Sequence, residues 1–425
     1  MSGDPSVVIV GAGVAGLACA RRLLELDVPA VVREASGRIG GRVRSWRSPG
    51  GADWELGAQV VHGVDNMIWS VPGVETTGES FRDTDFRVRM AGRAVPLSTL
   101  VGLGAAPWNA APALAAATAG RPIRTSGSVA HWLAAQPLSA AALRVTGDWI
   151  GQEWAAGPTV LADRDLGRVV RARARYRGEL MMAGGMSRLP EVLAVGLSVT
   201  TGMPVRSVRI AGSGVQVSTD HQVMSASAAV IAVPPWTIGR GGPELPDLPP
   251  GTAKDSSRRR LNGGDALVAV VGTDAAAPAG VTVFDADDGC GFLRCRAGHP
   301  QVQIVAKGPG AGRLRAVLAR PTAVRALLAS AMPWTRGAQI DEPVVADWGT
   351  DAFIGGAFTV PTPGSAAARA VWAAPMDGRL FFAGESTATD AGVARVHGAL
   401  ASGRRAADDV HRALTRARDK EESLR

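Results

Sequence analysis

The sequence predicts an α/β fold, with a parallel sheet in one domain and an inserted α+β domain beside it. Residues 7–10 are four consecutive apolar β-formers, and they lead through a Gly-x-Gly-x-x-Gly loop into a helix-forming stretch at 16–24. A second apolar run at 29–33 follows, as in a strand–helix–strand unit with parallel strands. At 425 residues the chain is long enough for two domains.

The glycine loop predicts a dinucleotide site. Gly11 permits the tight turn, Gly13 lets the backbone approach a pyrophosphate at the helix N-terminus, and Gly16 lets helix and strand pack closely. We expect Val14 and Ala15 to contact the same pyrophosphate.

The second apolar run and the loop after it indicate which dinucleotide binds. Glu34 ends that run, where a carboxylate accepts hydrogen bonds from ribose hydroxyls and disfavours a 2′-phosphate. Two arginines then bracket a glycine pair, and arginine binds phosphate oxygens bidentately. A solvated surface turn is the competing interpretation. The predicted cofactor contacts here are Ala35, Arg38, Gly40, Gly41 and Arg42.

The Glu-x3-Arg-x-Gly-Gly-Arg pattern of this loop resembles the second fingerprint of FAD enzymes of the flavin amine oxidase (monoamine oxidase-like) superfamily. The resemblance continues at residues 53–63, 184–190, 205–208, 229–235, 348–358, 380–387 and 396–403. It implies a Rossmann-like FAD domain assembled from discontinuous segments. It also implies FAD as the cofactor, bound non-covalently, because Ala357 corresponds to the cysteine that carries the flavin in monoamine oxidases.

The resemblance implies further cofactor contacts beyond the first sixty residues of the chain. After the strand that ends in Gly384 and Glu385, a helix N-terminus would stabilise negative charge on the flavin. The implied contacts are Gly57, Ala58, Gln59, Val205, Pro234, Trp348, Gly384, Glu385, Arg395, Val396 and Ala399.

The positions of the motifs predict the domain organisation. We expect residues 1–80, 183–255 and 340–425 to form the FAD-binding domain. Residues 81–182 and 256–339 would form the substrate-binding domain. The first of these insertions has helical patterns such as 130–135 and 179–182, and the second alternates strands with a helix at 321–328.

The catalytic face departs from the family pattern. Related enzymes have a lysine, bridged by water to the flavin, on the strand after the Pro pair, and residues 261–269 contain none. Lys254 comes too early, whereas Lys307 ends a later strand, and the sequence leaves open whether Lys307 replaces the missing lysine. Phe358 corresponds to one ring of the family's aromatic cage, and the loop at 388–395 lacks the other ring.

Four residues are candidates for the substrate face: Gln59, His62, Phe358 and Arg395. Gln59 would hydrogen-bond flavin or substrate. His62, like His397, is either a base near neutral pH or a hydrogen-bonding group for backbone or flavin. Arg395 suits a substrate carboxylate, and an ion pair with Asp390 is the competing role.

The resemblance implies hydride transfer from a C–N bond of an amine or amino acid to FAD, with O2 as the acceptor that reoxidises the flavin. A second nucleotide unit for NAD(P)H is absent from the sequence. The missing lysine leaves two alternatives open: a desaturase or dehydrogenase of a ring or C–C substrate, and a flavin-binding protein with little turnover.

Composition and charge limit the partners. The net charge of +8 comes almost entirely from dispersed arginine, since the chain has three lysines, so we expect no nucleic-acid partner. No apolar run is long enough for a membrane helix. Three cysteines without metal-ligand spacing predict no metal site and a cytoplasmic location. The oligomeric state, a homodimer included, is left open.

Overall fold

The computed structural model describes residues 6–80, 84–102, 104–121, 127–176 and 178–423. The strands in that part of the chain are β1 (Val7–Val10), β2 (Ala30–Arg33), β3 (Ser45–Arg47), β4 (Asp53–Glu55), β5 (Val61–His62), β6 (Thr76–Ser80), β7 (Asp85–Met90), β8 (Arg93–Pro96), β9 (Glu179–Met182), β10 (Ser198–Thr200), β11 (Val205–Ala211), β12 (Gly214–Thr219), β13 (Val223–Ala226), β14 (Ala228–Ile231), β15 (Ala266–Gly272), β16 (Val281–Asp285), β17 (Gly291–Cys295), β18 (Gln301–Lys307), β19 (Val344–Asp347) and β20 (Leu380–Phe382). The α-helices are α1 (Val14–Glu25), α2 (Ser98–Gly102), α3 (Ala110–Ala117), α4 (Val129–Ala134), α5 (Ala140–Trp154), α6 (Asp163–Arg173), α7 (Arg188–Ala194), α8 (Ala253–Arg260), α9 (Pro309–Leu318), α10 (Pro321–Ala331), α11 (Ser365–Ala373) and α12 (Val396–Ser423).

A parallel sheet in the order β10-β2-β1-β14-β20 contains β1 and β2, the two strands of the predicted strand–helix–strand unit. Side chains alternate across it: Val7 and Ile9 pack in the core formed with α1 and α12, whereas Val8 and Val10 pack towards β11–β13 and α11. Because both faces are covered, its strands are continuous apolar runs rather than alternating ones. The contributing strands lie in the segments 1–80, 183–255 and 340–425.

A second sheet has the order β19-β15-β18-β17-β16-β7-β8, and all its neighbours are antiparallel except β16 and β7. Alternate residues of β15 enter two different cores. Leu267 and Ala269 pack with α9 and α10, whereas Val268 and Val270 pack with α5 and α6. β19, which lies beyond residue 340, pairs with β15 and extends this sheet.

The α/β prediction, with an inserted unit of sheet and helices, is confirmed. The helix predicted at 130–135 is present as α4, and the helix at 321–328 as α10. The helical pattern proposed for 179–182 is wrong, because this stretch is β9, paired with β5 and β6. These four residues are too few to distinguish the helical repeat from the strand repeat. Pairing with the distant strands β5 and β6 makes the stretch a strand.

The described helices include none that combines the length and the apolar character required to cross a membrane. α12 is the longest of them, and its last three turns carry many charged side chains.

Candidate active site

A cavity of about 1370 Å³ opens at the carboxyl edge of the parallel sheet. The loops after β1, β2, β14 and β20 line it, because the C-terminal ends of parallel strands meet at one edge. From there it continues between β15, β18 and the helices α5 and α6. Small-molecule sites usually measure roughly 300–1,000 Å³, so this cavity has room for a dinucleotide and a second molecule.

The glycine loop between β1 and α1 forms one end of the cavity. Gly11 has a φ of 102°, and a Cβ there would press on the carbonyl oxygen of Ala232. Gly13 faces open space, since a Cβ there would meet no atom within 4 Å. Gly16 is needed for packing, because its Cβ would overlap the carbonyl oxygen of Gly11. The first bond of α1 runs from Leu17 N to Gly13 O, 3.0 Å, which leaves the earlier amides of this helix start available to an anion.

Glu34 is held at the cavity wall by hydrogen bonds from the chain itself. Its Oε2 accepts from Ala12 N at 2.7 Å, and its Oε1 accepts from Ser36 N at 2.9 Å and from Ser36 Oγ at 2.7 Å. The residue is buried, with 8% of its surface exposed. One lone pair of Oε2 remains for a ribose hydroxyl.

The loop after β2 folds back onto the glycine loop. Gly40 N donates to Ala12 O at 2.8 Å. Arg38 donates to Gly41 O at 2.7 Å, and its guanidinium carbon lies 5.6 Å from the centroid of the Trp348 ring. Burial lowers the pKa of Arg38 from its ordinary value. The predicted phosphate-binding loop therefore lines the cavity in an ordered conformation.

Arg42 and Glu385 form an ion pair at 2.9 Å, which the sequence did not suggest. Glu385 Oε1 also accepts from Thr359 N at 3.1 Å and Thr359 Oγ1 at 3.0 Å, and its Oε2 accepts from Ala394 N at 2.8 Å. One buried carboxylate thus joins three loops around the cavity, while its charge is balanced by Arg42.

The start of α12 points at the same cavity. The helix begins at Val396, and Ala399 N donates to Arg395 O at 3.2 Å. Further along, Gly403 packs closely on α1, where a Cβ would overlap the carbonyl oxygen of Ala15. Both helices therefore present N-termini to the cavity, each with a partial positive charge.

The predicted cofactor contacts converge on this cavity, apart from Gly16, which packs behind it. Those that line it are Gly11, Gly13, Val14, Ala15, Glu34, Ala35, Arg38, Gly40, Gly41, Arg42, Gly57, Ala58, Gln59, Val205, Pro234, Trp348, Gly384, Glu385, Arg395, Val396 and Ala399. A glycine cradle, a carboxylate and two helix starts around one large cavity fit a flavin dinucleotide.

Gln59 and Phe358 lie where the nucleotide end meets the second sheet. Gln59 Nε2 donates to Glu55 O at 3.0 Å and Gly57 O at 2.8 Å, so its Oε1 is the atom left for a ligand. Phe358 N donates to Gly263 O at 2.8 Å, and the residue lines the cavity. Phe358 therefore lies in the cavity wall, and its role as a ring of the aromatic cage stays a prediction.

Both candidate histidines are neutral at pH 7. Burial, followed by the charge of Arg395, lowers the pKa of His62 well below its ordinary value and that of His397 to about 4. Asn66 Nδ2 lies 3.1 Å from His397 Nδ1. If the Asn66 amide donates, Nδ1 accepts, and the single proton of the neutral ring is then on Nε2. That buried Nε2 has no partner within the described residues. The two rings are weak bases.

Lys307 lies on the strand that pairs with β15, from which lysine is absent. It is the last residue of β18 and pairs with Ala266, the first residue of β15, and both line the cavity. Its Nζ lies 5.7 Å from the centroid of the Phe358 ring. Burial lowers the pKa of Lys307 to about 8, against the opposing charge of Glu153. Lys254 lies elsewhere and donates to Trp372 O at 3.0 Å.

Arg395 does not form the ion pair with Asp390 that the sequence left open. Asp390 pairs instead with Arg168 and Arg369. Among the described residues no oxygen accepts a hydrogen bond from the Arg395 guanidinium, and burial lowers its pKa to about 10.

Several cavity residues belong to no recognised motif, and sequence reasoning missed them. Glu153 lies on α5, Arg173 ends α6, Tyr176 follows it and Glu179 begins β9. The Tyr176 ring lies 4.6 Å from the His397 ring. The alternating arginines at 171–175 were the one signal in the sequence, and nothing in it showed which of them faces a ligand.

The chain matches the family model described as flavin containing amine oxidoreductase over residues 14–411. Polyamine oxidase 6 of Oryza sativa subsp. japonica is 39% identical over 90 residues, which are 20% of this chain and 18% of that protein. Lysine-specific histone demethylase 1 homolog 1 of Arabidopsis thaliana is 26% identical over 465 aligned positions, covering 97% of this chain and 53% of that protein. The chain thus spans about half the length, or less, of these relatives.

Solved structures of amine oxidases share the fold. Putrescine oxidase bound to putrescine has a TM-score of 0.77 at 20% identity, covering 96% of this chain and 98% of that one. Cyclohexylamine oxidase from Brevibacterium oxydans IH-35A has a TM-score of 0.76 at 19% identity, covering 97% and 100%. With the family match over residues 14–411 and a cavity that fits a flavin dinucleotide, the chain belongs to the flavin-containing amine oxidoreductase family.

Proposed function

We propose that this chain is an FAD-dependent oxidase that removes hydride from the carbon next to nitrogen in an amine or amino acid, with O2 as the final acceptor. One observation carries the proposal: a continuous cavity joins the glycine cradle to Lys307, Phe358 and Arg395. This arrangement supplies a nucleotide site and a buried, charged substrate site in contact with each other.

The cofactor in this proposal is FAD, held without a covalent bond. The glycine loop and Glu34 would hold the pyrophosphate and ribose, and the start of α12 would lie near the flavin. None of Cys19, Cys290 and Cys295 lines the cavity, and Ala357 does. When bound, the flavin supplies the hydride acceptor and passes two electrons to O2.

Lys307 is the group best suited to accept a proton from the substrate. An ammonium substrate must first lose a proton, because only the neutral amine can give up hydride. A base works best when its pKa is near the working pH, and Lys307 has a pKa of about 8 whereas His397 has one of about 4. The C–H bond then breaks with its electron pair leaving with the hydrogen, the C–N bond becomes a double bond, and water converts the iminium to a carbonyl compound and ammonium.

A C–C desaturase is the second candidate, favoured by the loop at 388–395, which has no aromatic residue for a second cage ring, and by the absence of lysine from β15. The absence of lysine from β15 is a weaker argument because Lys307 lies on the adjacent strand β18. The amine reaction is therefore the better supported of the two.

A cytoplasmic location is part of the proposal. Its support is that Cys19, Cys290 and Cys295 are all buried free thiols, as in proteins kept reduced.

The test is anaerobic reduction of the purified flavoprotein in a stopped-flow instrument. Acid precipitation should release the flavin as FAD. Loss of flavin absorbance at roughly 450 nm with amines or amino acids, followed by peroxide formation on adding air, is the expected result. Bleaching only by saturated ring precursors would establish the desaturase instead. A bound flavin that no substrate reduces would contradict both enzyme functions and leave a flavin-binding protein.

A further inference from the structure

Two arginines reach the substrate end of the cavity from different helices. Arg173 is the last residue of α6, and Arg395 immediately precedes α12. Both line the cavity, and burial, followed by the charge of Arg395, lowers the pKa of Arg173 well below its ordinary value. We refer to Arg173 and Arg395 as the arginine pair.

The hydrogen-bonding capacity of the arginine pair is largely unused. Within the described part of the chain, no hydrogen bond links the Arg395 guanidinium to an acceptor, while the charges of Glu179 and Glu153 act on it. Arg173 donates to Val393 O and lies 4.7 Å from the centroid of the Trp154 ring, while its buried Nε has no partner among those residues. A buried guanidinium with free donors is costly unless an anion joins it.

The carboxylates at this end do not balance the cations. Glu153 and Glu179 line the cavity, and both already interact within the chain. Glu179 Oε1 lies 3.8 Å from His62 Nδ1, and this histidine is neutral at pH 7. Lys307 adds a further positive charge to the arginine pair. Among the described residues that line this end, the four cations Arg171, Arg173, Lys307 and Arg395 face the carboxylates of Glu153 and Glu179. The charge of Glu385 also acts on Arg173, and the remaining excess of positive charge favours an anionic ligand group.

Beyond these charged groups the cavity wall is aromatic. Trp149 lies in the middle of the group, with its ring centroid 6.1 Å from Phe86, 6.0 Å from Trp108 and 5.3 Å from Phe292. All four line the cavity. Rings that contact one another in this way form a firm apolar surface against which a flat or bulky side chain can pack.

We propose that the substrate is an α-amino acid with a large apolar side chain, whose carboxylate binds the arginine pair and whose side chain packs against Trp149 and its aromatic neighbours. The inference rests on the proposed function and narrows its substrate class. Arginine binds a carboxylate through two parallel N–H bonds, so the pair fixes the position of Cα as well as the charge. The amine would then lie between the arginine pair and Lys307.

The first experiment measures binding without turnover. The holoenzyme is titrated with 3-phenylpropionate, which has the carboxylate and ring but no amine, and with uncharged 3-phenylpropan-1-ol, by calorimetry. Arg395→Gln should weaken binding of the carboxylate by roughly 10–100-fold, as expected for a hydrogen bond to a charged group. Binding of the alcohol should not change. Arg168→Gln is the matched control, because Arg168 is half-exposed, pairs with Asp390 and does not line the cavity.

Arg395 also lies near the predicted flavin site, so the flavin content of each variant is measured. If Arg395→Gln fails to retain flavin, Arg173→Gln on α6 provides the second variant, with Arg173→Lys expected to restore part of the affinity. Equal affinity for 3-phenylpropionate in wild type, Arg395→Gln and Arg173→Gln would overturn the inference.

The second experiment compares phenylalanine with phenethylamine, which differ only in the carboxylate, as reductants of the flavin. Faster reduction by phenylalanine, at least tenfold in kcat/KM, is expected. Reduction by phenethylamine alone would overturn the inference and keep the proposed function. If neither compound nor any other amine or amino acid reduces the flavin while carboxylate binding still depends on Arg395, the anion site is upheld and the proposed oxidase function fails.

Discussion

The two ends of the cavity are built from different groups. At the nucleotide end, backbone amides and glycines form the wall, and the carboxylates of Glu34 and Glu385 are already hydrogen-bonded within the chain. At the substrate end the wall combines long charged side chains with aromatic rings. There, Nε2 of His397 and Nε of Arg173 have no hydrogen-bond partner among the described residues.

The difference reflects what each end must recognise. A dinucleotide has a constant pyrophosphate and ribose, which backbone amides at a helix start can bind with any side chain around them. A substrate is distinguished by its own charges and shape, so it requires side chains. Buried donors without partners destabilise the empty protein and gain their partners when a complementary ligand binds. We therefore expect the substrate end, where polar atoms lack partners, to determine which ligand binds.

We expect the largest effect from substituting Gly16, the glycine at the nucleotide end that packs against Gly11. In Gly16→Ala the new Cβ overlaps the Gly11 carbonyl oxygen, so α1 or the loop must shift, at a cost of roughly 1–3 kcal/mol. We expect complete loss of bound flavin and a lower melting temperature of the flavin-free protein. Absorbance spectra and thermal unfolding measure both.

Gly13→Ala is the control for this prediction, since its Cβ meets no atom within 4 Å. It should leave the melting temperature of the flavin-free protein unchanged and weaken only flavin binding. If Gly16→Ala retained flavin and stability, the glycine loop would not be the rigid cradle described above.

A smaller effect, confined to the substrate end, is expected for Lys307→Met. The rate of flavin reduction should fall by roughly 10²–10⁴-fold, as for loss of a general base, with flavin content unchanged. Only neutral Lys307 accepts a proton and its pKa is about 8, so the wild-type rate should rise as the pH increases through about 8. The variant should lack this rise.

Lys254→Met is the matched control, because Lys254 caps backbone carbonyls such as Trp372 O and does not line the cavity. It should leave the rate and its pH profile unchanged, whatever it does to stability. An unaltered pH profile in Lys307→Met would exclude Lys307 as the proton acceptor.

The smallest effect is expected at the junction of the two ends, in Glu55→Gln. The Glu55 carboxylate is buried, and it accepts from Met186 N at 2.8 Å and from Ser45 Oγ at 2.8 Å. Burial raises the pKa of the Glu55 carboxyl to about 7, so the folded protein holds this proton more tightly than the unfolded chain does. Below its unfolded pKa the Glu55 carboxyl does not change the stability of the protein. Stability falls as the pH rises from there to about 7, and the loss is constant at higher pH.

Urea unfolding at pH 5, 6, 7 and 8 measures this effect. The free energy of unfolding of the wild type, relative to Glu55→Gln, should fall by about 1–3 kcal/mol across that range. A constant difference between the two proteins at all four pH values would show that Glu55 titrates as it does in the unfolded chain.

The nucleotide end was largely predictable from the sequence. Residues 7–42 contain its strand, glycine loop, carboxylate and arginine loop in one stretch, and the spacing of these residues determines the turns they adopt. The pairing of Arg42 with Glu385 was not predictable in this way, since the two residues are far apart in the chain.

The substrate end was predictable only in outline. Phe358 and Arg395 were identified as candidates, whereas Arg173 and Glu153 were missed. The same kind of error placed a helix at 179–182, where pairing with β5 and β6 produces a strand. A local sequence pattern cannot show which distant strands or side chains a segment will contact.

By itself the sequence determined the α/β class, the dinucleotide site and its family resemblance, because turns, helix starts and apolar periods depend on neighbouring residues. The tertiary structure alone decided that Lys307 lies on the strand beside β15, from which lysine is absent, and that Asp390 pairs with Arg168 and Arg369 rather than with Arg395. The reason is physical: strand pairing and helix packing bring distant side chains together, and no local spacing encodes which of them meet.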